Sequence, residues 1–135
     1  MLIEKEFIPY EQALELKELG FDENCLDKYD PRFEKLSSNM ETWSNEHYPE
    51  TLMIPAPLYQ QAFRWFRDKK LSNGSVCRHG KADGSYSYRW DILFEYGVYE
   101  ERHFKMDYDT YEEAELACLK KLIEIVSTTP TKCYK

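Results

Sequence analysis

Tyr86-Ser87-Tyr88-Arg89-Trp90-Asp91-Ile92-Leu93-Phe94-Glu95-Tyr96 is the stretch on which the fold turns. Tyr86, Tyr88, Trp90, Ile92, Phe94 and Tyr96 alternate with Ser85, Ser87, Arg89, Asp91, Leu93 and Glu95, and a two-residue repeat puts the first set on one face. A wholly apolar or aromatic row of this kind marks an antiparallel strand with one side packed on helices. Such a row is more often a core face than a platform for stacked bases, and no basic RNA-binding run accompanies it. Working outward, residues 75–79 read as the preceding strand and Gly80-Lys81-Ala82-Asp83-Gly84 as the hairpin loop. Gly97 ends the long strand, and residues 102–106 return as a third, completing an antiparallel meander.

Three helices are predicted around it. The first covers residues 10–19: Pro9 suits a helix start, Gly20 supplies the left-handed stop, and Phe21 is spaced to pack back on Leu16. The second opens with Pro57 and runs to residue 70, with Tyr59, Ala62, Phe63 and Phe66 on one face and Gln60, Arg64 and Arg67 opposite; Ser72-Asn73-Gly74 reads as its end. The third starts at a capping box, Asp109 with Glu112 or Thr110 with Glu113, and buries Tyr111, Ala114, Cys118, Leu122 and Ile125, broadened by Leu119 and Val126.

Between residues 22 and 55, short apolar stretches alternate with Asp30-Pro31, Ser37-Ser38-Asn39 and Tyr48-Pro49, which reads as one or two short strands and a long acidic loop. The expected architecture is α+β, three helices packed on one face of a small antiparallel β-meander sheet. Residues 1–127 are expected to form a single domain and residues 128–135, broken by Pro130, a flexible tail.

A chain of 135 residues, 42% hydrophobic, is long and apolar enough to bury a core. No run approaches the roughly 18 apolar residues that cross a bilayer, and Met1-Leu2-Ile3-Glu4-Lys5-Glu6 is acidic where a signal peptide is basic, so a cytoplasmic protein is expected. In that setting Asn73-Gly74-Ser75 reads as a turn and not as a glycosylation acceptor. Cys25, Cys77, Cys118 and Cys133 are scattered, with no Cys/His cluster at ligand spacing, so no metal or cofactor is expected and Cys118 reads as a buried thiol.

The formal charge of −7 argues against binding duplex nucleic acid, whose affinity comes largely from Lys and Arg neutralising phosphates. The charge is unevenly spread: residues 1–52 carry −8, residues 53–90 carry +5 and residues 91–135 carry −4. The basic middle contains Arg64, Arg67, Lys69, Lys70, Arg78, Lys81 and Arg89. If the polar face of the second helix lies beside the first hairpin, Arg64, Arg67, Arg78, His79 and Arg89 are the candidate ligand-binding residues for an anionic nucleotide or signalling molecule. The plainer reading pairs these charges with the surplus acids around them.

In the acidic stretch Trp43, His47 and Tyr48 are the candidate protein-contact residues. The phosphate-loop, dinucleotide, nucleophile-elbow and zinc-protease motifs are all absent, so no catalytic residue is assigned. His47, His79 and His103 stand far apart in sequence, and a hydrolase using His79 or His103 is the weakest of the readings.

Residues 10–21 (YEQALELKELGF), 56–67 (APLYQQAFRWFR) and 111–126 (YEEAELACLKKLIEIV) resemble a family of small uncharacterised bacteriophage and prophage proteins. The three blocks are the three expected helices, about 40 of the 135 residues. The resemblance implies a phage setting and brings no activity or site residue with it. In that setting the leading expectation is a non-enzymatic accessory module that engages a host protein, one of a defence system being the natural target, with the anionic-ligand binder as its rival.

Overall fold

A computed structural model of the chain describes residues 4–39 and 52–128. The elements run α1 (Tyr10–Glu18), β1 (Asp27–Asp30), β2 (Lys35–Leu36), β3 (Ile54–Ala56), α2 (Tyr59–Lys69), β4 (Ser72–Gly80), β5 (Tyr86–Tyr96), β6 (Tyr99–Tyr108) and α3 (Tyr111–Thr128), with 3-10 turns at Glu4–Glu6 and Ser37–Asn39. The class is α+β with three helices and an antiparallel meander, β4-β5-β6, as expected. A second antiparallel sheet of three short strands, β2-β1-β3, lies in the region read as mostly loop. Chain contacts define two compact units, divided after Gln60. Trp43, His47 and Tyr48 lie outside the described residues, as do residues 129–135 of the expected tail. No helix among the described residues is long and apolar enough to cross a membrane.

In residues 4–60, α1 ends as its sequence dictates. Gly20 takes φ 101°, its N–H donates to the Lys17 carbonyl at 3.1 Å, and the Phe21 N–H donates to the Leu16 carbonyl at 3.0 Å, the paired bonds of a Schellman stop. Polar residues that read as loop prove to be the scaffold of the small sheet. The Asp30-Pro31 break is the β1–β2 turn, where the Asp30 carbonyl accepts the N–H groups of Phe33 and Glu34 at 3.1 and 2.8 Å, while Arg32 grips the buried Asp30 carboxylate at 2.7 Å. The Asp27 carboxylate accepts the Lys28 N–H at 2.8 Å, the Ser37 hydroxyl at 2.7 Å and the Ser38 hydroxyl. Burial pushes the Asp27 pKa up, and these donors together outweigh it and hold the group ionised below its usual range. The buried Tyr29 hydroxyl donates to the Ile8 carbonyl at 2.6 Å, with Tyr10 edge-on to the Tyr29 ring, and α1 packs on β3.

In residues 61–128 the middle of the long strand does what its alternation predicts, while Tyr86 at its start is 59% exposed and Ser87 of the polar set is buried. Trp90, Ile92 and Phe94 are buried and α3 lies on their face with Ala114, Cys118, Leu119, Leu122, Ile123, Ile125 and Val126 buried. Each large side chain so placed contributes about 1.5–3 kcal/mol. The Glu113 N–H donates to the Thr110 hydroxyl at 3.1 Å, which selects Thr110 and Glu113 as the capping pair. Burial pushes the Cys118 thiol up to about 12, so it packs and does not react.

Three readings need correction. Tyr111, read as part of the buried stripe of α3, is 41% exposed at the helix start, edge-on to Tyr88. Asn73-Gly74 is not a turn after α2: it lies inside β4, where Gly74 faces Ile92 of β5. The chain leaves α2 instead through Leu71, which takes the left-handed φ of 58° without being glycine. The glycine is needed three residues later for space, since a Cβ at position 74 would stand 2.9 Å from Leu122 Cδ1 and 3.0 Å from Cys118 Sγ of α3. The third strand is also longer than residues 102–106, because Gly97 (φ 59°) makes a two-residue turn that joins Tyr96 directly to its partner Tyr99.

Candidate functional site

The missing side chain of Gly74 fixes where the larger sheet is left open. With nothing between them, α3 settles onto β4 and β5, and reaches β6 mainly with one flank. That flank is Ala117, Lys120, Lys121 and Glu124, spaced i, i+3, i+4 and i+7 beside the apolar stripe. Between it and β6 lies a cleft of about 610 Å³, whose other walls are Trp90, Tyr108 and the four consecutive residues Arg102, His103, Phe104 and Lys105.

The register says which parts of β6 face the cleft. His103 pairs with Ile92 and Lys105 with Trp90, so both share the face on which α3 lies. Arg102 and Phe104 pair with Leu93 and Asp91, so their side chains go to the other face, where Arg102 stands 3.9 Å from Glu100. Counting from the hydrogen-bonded pair at the turn, Tyr96 and Tyr99, the antiparallel ladder alternates, and the backbone N–H and C=O groups of Glu100, Arg102 and Phe104 point outward. Arg102 and Phe104 are both cleft-lining residues whose main-chain groups face outward from the sheet. Beyond them a bulge sets Met106 and Asp107 (φ 70°) opposite Arg89 and returns Tyr108 to the α3 face, where its hydroxyl accepts the Trp90 indole N–H at 3.1 Å.

The cleft is basic in an acidic chain. The Lys105 ammonium stands 5.7 Å from the centre of the Tyr108 ring, and Lys121 lies 3.3 Å from Glu124. Among the described residues neither Lys105 nor Lys120 has a carboxylate within ion-pair distance, so two of the three amines are not neutralised locally. His103 turns its Nε2 away from water, with no hydrogen bond and the Glu101 carboxylate 3.8 Å away. Three lysines over a Trp90–Tyr108 floor, beside a sheet edge that is open among the described residues, can hold an anionic partner by charge, ring contact and main-chain hydrogen bonds together.

Two of the candidates drawn from the basic middle of the sequence, Arg78 and Arg89, do not share a face of the sheet. Arg78 pairs with Tyr88 and Arg89 with Cys77, adjacent rungs of the β4–β5 ladder, so the two guanidinium groups lie on opposite faces. Arg78 stacks 4.3 Å over the exposed Tyr86 ring. Arg89 is held by both oxygens of Asp91, at 2.5 and 3.0 Å, with its guanidinium over Phe104. His79 shares the Arg89 face, Lys81 stands 3.8 Å from Asp107, and Arg64 and Arg67 are exposed on α2 with Arg67 beside Asp68 at 3.3 Å. Lys105, Lys120 and Lys121 were not singled out as site residues by the sequence. Their signal was present in the basic residues of the third strand and in two lysines flanking the apolar stripe of the last helix, but only the pairing of strand with helix flank unites them. No protein-family model matches this chain, and neither a curated protein nor a solved structure does.

Proposed function

We propose that this chain is a non-enzymatic binding module and that its working surface is the groove between β6 and α3. The observation that carries the reading is that, among the described residues, Lys105 and Lys120 are un-neutralised beside an open strand edge, on a chain whose net charge is −7. A local basic surface on an acidic protein selects an anionic partner and repels most others, which favours selectivity over non-specific adhesion. The resemblance to phage and prophage proteins supplies the setting: a cytoplasmic accessory protein whose partner is a host protein, with inhibition of a defence protein as its effect.

A second reading places a small anionic nucleotide in the same groove, favoured by the Lys105 ammonium over the Tyr108 ring, where a base and a phosphate could be met together. Affinity purification from bacterial lysate separates the two when the wild-type chain is compared with a Lys105→Glu, Lys120→Glu double variant. A host protein retained by the wild type and reduced at least tenfold in the variant is the expected result. A nucleotide released on denaturation from the wild type alone favours the second reading, and equal recovery by both chains removes the groove from the account.

A further inference from the structure

We infer that the groove takes an extended acidic peptide segment, which adds to the outer edge of β6 as a fourth strand of the β4-β5-β6 sheet. The inference rests on the groove being the binding surface and names the class of its occupant. Two independent features point to a strand. The order β4-β5-β6 leaves β6 outermost, and among the described residues it pairs only with β5. The two residues whose main chain faces outward in the middle of β6, Arg102 and Phe104, are also residues that line the cleft. An unpaired row of N–H and C=O groups is a template for another strand, at about 4.8 Å spacing.

The helix flank argues for the same occupant. Because α3 is seated toward β4, the cleft runs alongside the edge of β6, and Ala117 presents the smallest side chain of the α3 flank. The four residues from Arg102 to Lys105 span roughly 13 Å at strand rise, enough to pair with about four residues of a partner. In an added strand alternate side chains would point into the cleft, between Lys105 on the floor and Lys120 and Lys121 on the wall. Carboxylates at those positions meet ammonium groups, and apolar residues between them meet the face of Arg102 and Phe104. A basic peptide would meet three like charges and is excluded by the same geometry.

The test uses the full chain with isotope-labelled backbone and a set of capped seven-residue peptides in which Glu alternates with Val. Binding is followed by amide chemical shifts and by hydrogen exchange at Arg102 and Phe104. The same peptides N-methylated at alternate positions keep their charge and lose the main-chain donors. The expected result is saturable binding, exchange at Arg102 and Phe104 slowed at least tenfold, and affinity lowered about tenfold by N-methylation, the effect of losing two net hydrogen bonds.

Binding that is indifferent to N-methylation overturns strand addition and leaves a charge-selective groove standing. ATP or inorganic phosphate shifting Lys105 and Lys120 while no peptide binds at roughly millimolar concentration overturns the peptide and leaves the small-ligand reading of the groove. Shifts confined to residues outside β6 and the α3 flank overturn both the inference and the reading beneath it.

Discussion

Glu115 stands half-buried on α3, and burial first, then the neighbouring Glu112, pushes its pKa from 4.5 up to about 7. The folded chain therefore keeps this proton at pH values where the unfolded chain has lost it. Stability is present below pH 4.5 and is lost as pH rises toward and through 7, the opposite of the usual carboxylate. Glu115→Gln removes the penalty without changing shape. At pH 8 the variant is expected to be more stable than the parent by about 1 kcal/mol, less than the full shift because solvent screens a partly exposed group, and at pH 4 the two should coincide. Urea unfolding at both pH values measures this, and an equal gain at both would assign the effect to something other than titration. None of this was legible in the sequence, which showed an acidic first turn but not the depth at which Glu115 sits. The reading of Cys118 as an inert buried thiol, by contrast, follows from its place on the apolar stripe.

Among the elements, those with a strong local period were readable and those defined by a distant neighbour were not. The Trp90–Ile92–Phe94 alternation, the Gly20 stop and the α3 cap each state their geometry within a few residues, and each is found as read. Gly74 carries a signal that is ambiguous until its neighbour is known. A glycine after a helix suggests a stop, and only the passage of Cys118 and Leu122 overhead shows that this one is a clearance. The same contact seats α3, so a Cβ at position 74 should act on the helix. Gly74→Ala is expected to cost about 1–2 kcal/mol, and adding Leu122→Val, which removes a methylene from the crowded side chain, should recover part of that loss. A double-mutant cycle by thermal unfolding measures the coupling; strictly additive effects would separate Gly74 from the seating of α3. The β2-β1-β3 sheet went mostly unread for a related reason. Its strands are two to four residues long and are held by Asp27, Asp30, Ser37 and Ser38, residue types that local rules assign to loops.

Over the molecule as a whole, summed charge along the chain does not say which basic side chains share a face. The excess of Lys and Arg in residues 53–90 is real, yet strand alternation sends Arg78 and Arg89 to opposite faces and Asp91 occupies Arg89. The lysines of the groove come instead from residues 91–135, a segment of net −4, where Glu124 is the one acid among the described lining residues. Segment charge is a poor guide where a sheet sorts neighbours onto different faces, and register decides which charges meet. The proposed function requires that this groove receive a partner. Its most direct test places a photo-crosslinking amino acid at Lys120, on the groove wall, and in a separate chain at Cys77, on the opposite edge strand β4, with both chains expressed in bacterial cells and irradiated. A discrete protein adduct is expected from position 120 and none from position 77; an adduct from position 77 with none from position 120 would place the binding surface elsewhere than the groove.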